Sequence, residues 1–168
     1  MTGEVEVVLL ATGGTIDKVY GLSGELEIGP PVAAALLAAA GIEISIESIL
    51  TKDSLELTPA DRAAIVECVR SRPACRFLIT HGTDTMTDTA AALLESGVVT
   101  DRTVVLTGAM RPAAMIDSDA AFNLGAAMVA ARMLPAGVYI VMHGTVFAGD
   151  AVTKNPAAGR FVEVPRQG

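Results

Sequence analysis

Five short apolar runs separated by helical stretches constrain this chain more than any other feature. They are EVVLLA (6–11), IEISIESI (42–49), RFLIT (76–80), TVVLTG (103–108) and GVYIVMHG (137–144). They are rich in Val and Ile, and most lack the polar alternation of a half-wet strand, so they read as strands buried on both faces. Between them lie helices with recognisable ends. PPVAAALLAAAG (30–41) has Pro at its start and Gly41 at its end, the usual asymmetry. TPADRAAIVECVRSRP (58–73) opens on Thr58 as N-cap with Pro59 at the first position, and stops before Pro73. DTMTDTAAALLESG (84–97) ends at Gly97, and SDAAFNLGAAMVAARMLP (118–135) at Pro135. This alternation predicts an α/β fold with a single doubly wound, mainly parallel sheet and helices on both faces. The tail, TVFAGDAVTKNPAAGRFVEV (145–164), reads as a hairpin or two edge strands around a Gly/Asn/Pro turn. No repeat, linker or interior boundary interrupts the pattern, so residues 1–168 read as one domain, long enough to bury a core.

Aromatic residues make up 4% of the chain against 51% hydrophobic residues, so the core must be built from Ala, Val, Leu, Ile and Met. A net charge of −7 argues against nucleic acid and anionic membranes, which reward basic patches. The Ala-rich run VAAALLAAAGI (32–42) falls well short of the ~18 apolar residues that span a bilayer. A small zwitterionic or neutral substrate suits this balance. Cys68 and Cys75 make no disulfide framework, and the N-terminus lacks the basic region of a signal peptide and its apolar run is short. The thiols therefore read as reduced, in a cytoplasmic protein.

In open α/β sheets, ligands bind outside the carboxyl ends of the strands. There this sequence puts TGGTID (12–17), TKDS (51–54), THGTDTMTDT (80–89) and TGAMRP (107–112). The first admits two readings. A glycine turn ahead of a helix can cradle phosphate, but neither phosphate-binding glycine spacing is present. The next segment, DKVYGLSGELEIGPP (17–31), reads as a flexible loop or hairpin. Alternatively Thr15 is a nucleophile, the glycines admit substrate, and the loop folds over it. Tyr20 is then either a partner that activates or positions Thr15, or an exposed aromatic. In the third loop, Thr83, Asp84 or Thr85 could cap the helix after it. The other reading makes Thr83 a hydroxyl donor and Asp84 the holder of a cationic ligand group. His81 reads as a satisfied structural histidine, since no second-ligand spacing accompanies it. Lys154 is a solvated lysine or, if buried beside Thr83, a base toward a hydroxyl.

ATGGTI (11–16) together with THGTDTM (80–86) resembles the bacterial, threonine-dependent L-asparaginase family. LTGAMRP (106–112), FNL (122–124) and VTKN (152–155) resemble it in the same order, and the similarity runs from residue 5 to about residue 164. The resemblance implies an amidohydrolase that converts L-asparagine to L-aspartate and ammonia through an acyl-enzyme. It implies Thr15 as primary nucleophile with Tyr20 as its partner in a lid loop, and Thr83, Lys154 and Asp84 as a second group. Asp84 would also hold the substrate α-ammonium. Gly14, Thr51, Asp53, Ser54 and Gly82 would line the substrate, Thr51 on the α-carboxylate. Backbone N–H groups near Gly14 and Thr83 would stabilise the oxyanion. No cofactor and no metal is implied. A single methylene separates asparagine from glutamine, so a glutaminase or the ammonia-producing domain of an amidotransferase is the alternative enzyme. A catalytically silent amino-acid-binding domain is the alternative outside enzymes. Family members carry a C-terminal domain that lends an acidic residue to a neighbour's site. The expectation is that this domain is absent, and that either a homo-oligomer, dimer or tetramer, covers the 17–29 loop and supplies an acid such as Glu25 or Glu27, or the site stays open and binds substrate weakly; the oligomer is the favoured outcome.

Overall fold

The computed structural model describes residues 6–165. Its main sheet has six strands in the order β4 (Ser45–Lys52), β1 (Val8–Gly13), β5 (Arg76–Thr80), β6 (Thr103–Thr107), β7 (Gly137–Met142) and β8 (Thr145–Ala148). The first five are parallel, and β8 runs antiparallel along the edge. β1, β5 and β6 are buried throughout or nearly so, as their unbroken apolar runs require, while β4 is an edge strand with alternating exposure. That exposure is what the Ile/Glu/Ser alternation of IEISIESI encodes.

Successive side chains on a strand point to opposite faces, and the two cores sort accordingly. Leu10, Phe77, Ile79 and Val104 pack against α2 (Pro59–Ser71) and α3 (Met86–Glu95). Leu9, Leu78 and Val105 pack against α1 (Ala33–Ala39) and α4 (Ala120–Met133). Each of these leucines and isoleucines is almost fully buried, and such burial contributes about 2 kcal/mol per side chain. The sheet is therefore doubly wound, with a helical layer on each face. The helix ends are chemically explicit. Thr58 and Asp61 form a reciprocal capping box, with Pro59 opening α2. α1 ends at Gly41, whose φ of 73° continues into the Ile42 N–H to Leu37 carbonyl bond at 3.0 Å, a C-terminal glycine motif.

The tail divides. TVFA is the edge strand β8, joined to β7 by the two-residue turn His143–Gly144 with φ of 56° and 73°, the geometry hairpins favour. VTKN and RFVE then form a separate two-stranded sheet, β9 (Val152–Asn155) with β10 (Arg160–Glu163). The 17–31 segment contains a second small hairpin, the arm, made of β2 (Lys18–Tyr20) and β3 (Leu26–Ile28). Among the described residues no helix is long and apolar enough to cross a membrane.

Candidate active site

The chain leaves β1 toward β4 on one side and returns to β5 on the other, so the order reverses between β1 and β5. A crevice opens at such a reversal, above the carboxyl ends of the strands. The strand ends here are stitched together. Thr12 Oγ1 donates to the Thr80 carbonyl at 2.8 Å, and the His81 N–H donates to the Thr107 carbonyl at 2.9 Å.

The paired glycines have a geometric explanation. Gly13 and Gly14 adopt φ of 94° and 88°, a region L-residues avoid. A Cβ on Gly14 would lie 2.4 Å from the Gly82 nitrogen, and one on Gly82 would lie 2.7 Å from Ser54 Cβ. The loops after β1, β4 and β5 thus meet backbone to backbone, in a seam Gly14–Gly82–Ser54. The Gly14 N–H is spent on the Lys52 carbonyl at 3.0 Å, so it is not free to stabilise an oxyanion. The Thr83 N–H makes no hydrogen bond to a described residue.

The wall after β5 is rigidly braced. His81 is fully buried; its Nδ1 donates to the Gly82 carbonyl at 2.7 Å, which leaves Nε2 to accept the Thr89 hydroxyl at 2.8 Å. Burial pushes its pKa down to about 4, so the ring is neutral at pH 7 and structural. Thr83 is 4% exposed, and Lys154 Nζ, from β9, donates to its Oγ1 at 2.8 Å and to Asp84 Oδ1 at 2.5 Å. Residues 71 positions apart in sequence are thereby brought into contact. The helix-cap reading of this loop does not hold. Thr85 is the N-cap of α3 but makes no capping bond; its hydroxyl donates to the Ser54 carbonyl at 2.7 Å, while Thr83 and Asp84 engage Lys154. The hydroxyls serve the joints between loops rather than the helix end.

The other side of the crevice is looser. Thr15 opens a 3-10 turn, Thr15–Asp17, is partly buried, and its hydroxyl makes no hydrogen bond to a described residue. Tyr20 lies on the arm, 68% exposed and not hydrogen-bonded to Thr15. Ser54 is buried in the seam with an unpartnered hydroxyl, whereas Thr51 is exposed on β4 and outside that seam. Asp53 accepts the Leu55 N–H at 3.1 Å and Lys18 Nζ at 2.8 Å. Its pKa is lowered chiefly by the Lys18 hydrogen bond. The sequence alone does not single out Lys18 or Asp17. A charged pair at the start of a polar loop carries no local signal, and only the fold supplies their partners.

Known proteins resemble this chain in sequence and share its fold. The family profile described as "Asparaginase, N-terminal" matches residues 6–161. A glutaminase-asparaginase of Acinetobacter glutaminasificans is 32% identical over 88% of this chain and 49% of its own length. A glutamyl-tRNA(Gln) amidotransferase component of Pyrobaculum aerophilum is 37% identical over 88% of this chain and 36% of its own. The solved thermostable L-asparaginase from Thermococcus kodakarensis superposes with a TM-score of 0.74 at 31% identity, covering 89% of this chain and 47% of that one. The chain thus spans about half the length of these relatives or less.

Proposed function

The chain belongs to the asparaginase family, and we propose that it hydrolyses the side-chain amide of L-asparagine with Thr15 as nucleophile. The observation that carries this reading is the Lys154–Thr83 contact at 2.8 Å, beside the seam that leads to Thr15. Because the ammonium donates to Thr83 Oγ1, the hydroxyl's own hydrogen is directed away from Lys154 and is free to act on a substrate. Thr15 Oγ bonds to the amide carbon and the C–N bond breaks. The Thr15 proton ends on the leaving nitrogen as ammonia, with Thr83 and Lys154 handling it. Water then cleaves the ester. The Thr83 N–H is the oxyanion donor in this scheme, replacing the Gly14 N–H that Lys52 occupies. Asp84, paired with Lys154, holds the α-ammonium, and Ser54, with its unpartnered hydroxyl, holds the α-carboxylate.

Ammonia release from asparagine and from glutamine tests the reading directly. Release from asparagine that disappears in Thr15→Ala supports it. Preference for glutamine moves it to the alternative enzyme, and no release from either leaves a binding domain. Mapping the acyl adduct by mass spectrometry separates Thr15 from Thr83, the second candidate by virtue of its lysine contact. We also propose a homo-oligomer formed through α4, where Phe122, Val129 and Met133 expose apolar surface at helical spacing. Light scattering of Phe122→Glu across a dilution series tests it, and an unchanged mass would reject that face.

A further inference from the structure

Asp17 lies two residues after Thr15, at the end of the same 3-10 turn, and is 1% exposed. Among the described residues it is the only carboxylate so buried. Its N–H donates to the Gly14 carbonyl at 3.1 Å, its carbonyl accepts the Gly29 N–H at 2.8 Å, and its Oδ1 accepts the Val32 N–H at 3.0 Å. One residue therefore ties the glycine turn to both the far end of the arm and the head of α1. Its other oxygen, Oδ2, is buried without a partner.

Among the described residues no cation is paired with it. Lys18, next in the chain, is engaged by Asp53; Arg111 is engaged by Asp117; Asp119 is held by the N–H groups of Met110 and Arg111 and by Asn123. Residues 29–40 carry no charge. Its chain neighbour Ile16 and its hydrogen-bond partner Val32 belong to a small apolar cluster with Leu36, Ala109, Ala113 and Ala120. An unpaired buried carboxylate oxygen is costly, and Asn would satisfy the Val32 N–H without a charge. Stability alone does not explain an acid at this position, whereas departures from local economy gather at functional sites.

We propose that Asp17 is a positioning residue for the reaction, clamping the turn that carries Thr15 to the root of the arm and the head of α1. This rests on the reading of Thr15 as nucleophile. Burial raises the Asp17 pKa to about 6, so the clamp changes charge within a pH range where activity can be measured.

The test uses Asp17→Ala and Asp17→Asn on the full chain, with Thr15→Ala beside them. The readouts are kcat and KM for asparagine, and hydrogen-exchange protection factors of the Gly29 and Val32 amides from pH 5 to pH 7. Asp17→Ala should lose at least 10-fold in kcat with KM changed less than 3-fold, and Val32 should lose protection. Asp17→Asn should restore most of the kcat. It should also hold Val32 protection constant across the pH range in which wild-type protection falls as the carboxyl ionises. Asp17→Ala with wild-type kcat and wild-type protection overturns the proposal. If Asp17→Ala does not fold, Asp17→Asn decides alone, and a pH dependence of protection identical to wild type overturns it. The exchange readout owes nothing to catalysis. An active Thr15→Ala would therefore sink the nucleophile reading while leaving the clamp to be judged on protection.

Discussion

The wall after β5 and the arm after β1 face the same crevice but are held in different ways. In the wall, His81, Thr83, Thr85 and Thr89 are each hydrogen-bonded to another loop, another strand or their own helix. In the arm, Lys18 makes the one side-chain hydrogen bond that residues 18–28 send beyond the hairpin, among the described residues. Tyr20 and Leu22 are 68% and 110% exposed there. Half of the proposed machinery is thus preformed, and half waits on a segment with little to fix it. In the proposed reaction the wall would set the geometry of proton handling, and the arm would control access to Thr15.

The largest effect should come from breaking the wall. Lys154→Met and Thr83→Val should each lower kcat about 10³-fold, or ~4 kcal/mol, with KM changed little. The double mutant should be no worse than either single, because the pair acts as a unit. Losses that multiply would show that wall and lysine work separately.

Next come glycines from the two regions. Gly14→Ala forces a Cβ into backbone 2.4 Å away at a φ of 88° and should cost about 4 kcal/mol, a fall in Tm of ~10 °C. Gly24→Ala, at the arm's tip with φ of 82° and nothing within 4 Å, carries the backbone strain alone and should cost about 1 kcal/mol. Thermal unfolding of both decides whether the seam is as tight as its geometry states.

A third contrast is in pH. Asp17, at the root of the arm, has a folded pKa raised to about 6. Its contribution is fully present below the unfolded value near 3.8 and is lost as pH rises through 6. His81, in the wall, has a folded pKa near 4 against 6.5, so its contribution is present above 6.5 and lost as pH falls through 4. The two regions therefore tilt stability in opposite directions. Urea unfolding of wild type and Asp17→Asn at pH 4 and pH 7 cancels the His81 part. The variant should gain on wild type at the higher pH by at most about 3 kcal/mol.

The smallest effect belongs to the Lys18–Asp53 pair. Lys18→Met should cost under about 1 kcal/mol, since the pair with Asp53 is part-exposed. It should raise KM more than it lowers kcat, and salt should reproduce the change in wild type. A large loss of kcat would mean that the arm is catalytic rather than a gate.

Much of this arrangement was legible in the sequence. Unbroken apolar runs marked the buried strands, and Thr58, Pro59, Gly41 and Pro135 marked helix ends, because these signals are local and periodic. The polar loops at the strand ends were found for the same reason. The joints between them were not. Nothing local tells that Thr85 serves Ser54 rather than α3, that Gly14 spends its N–H on Lys52, or that Lys18 reaches Asp53 35 residues away. Asp17 was hidden because burial of a loop carboxylate depends on what folds over it. The contact between Thr83 and Lys154 was implied by resemblance alone, and only the fold supplies the distance.

Lys154 rides on β9, in a two-stranded sheet separate from the six-stranded one. What joins it to the rest of the molecule is the packing of Val152 and Phe161 into the core that also holds Leu10, Phe77 and Met86. The lysine crosses 71 residues to reach its threonine, a span comparable to the one that sets Val8 of β1 beside Phe77 of β5. Anything that loosens the apolar underside of this small hairpin would carry Lys154 away from Thr83 while the six strands keep their ladder.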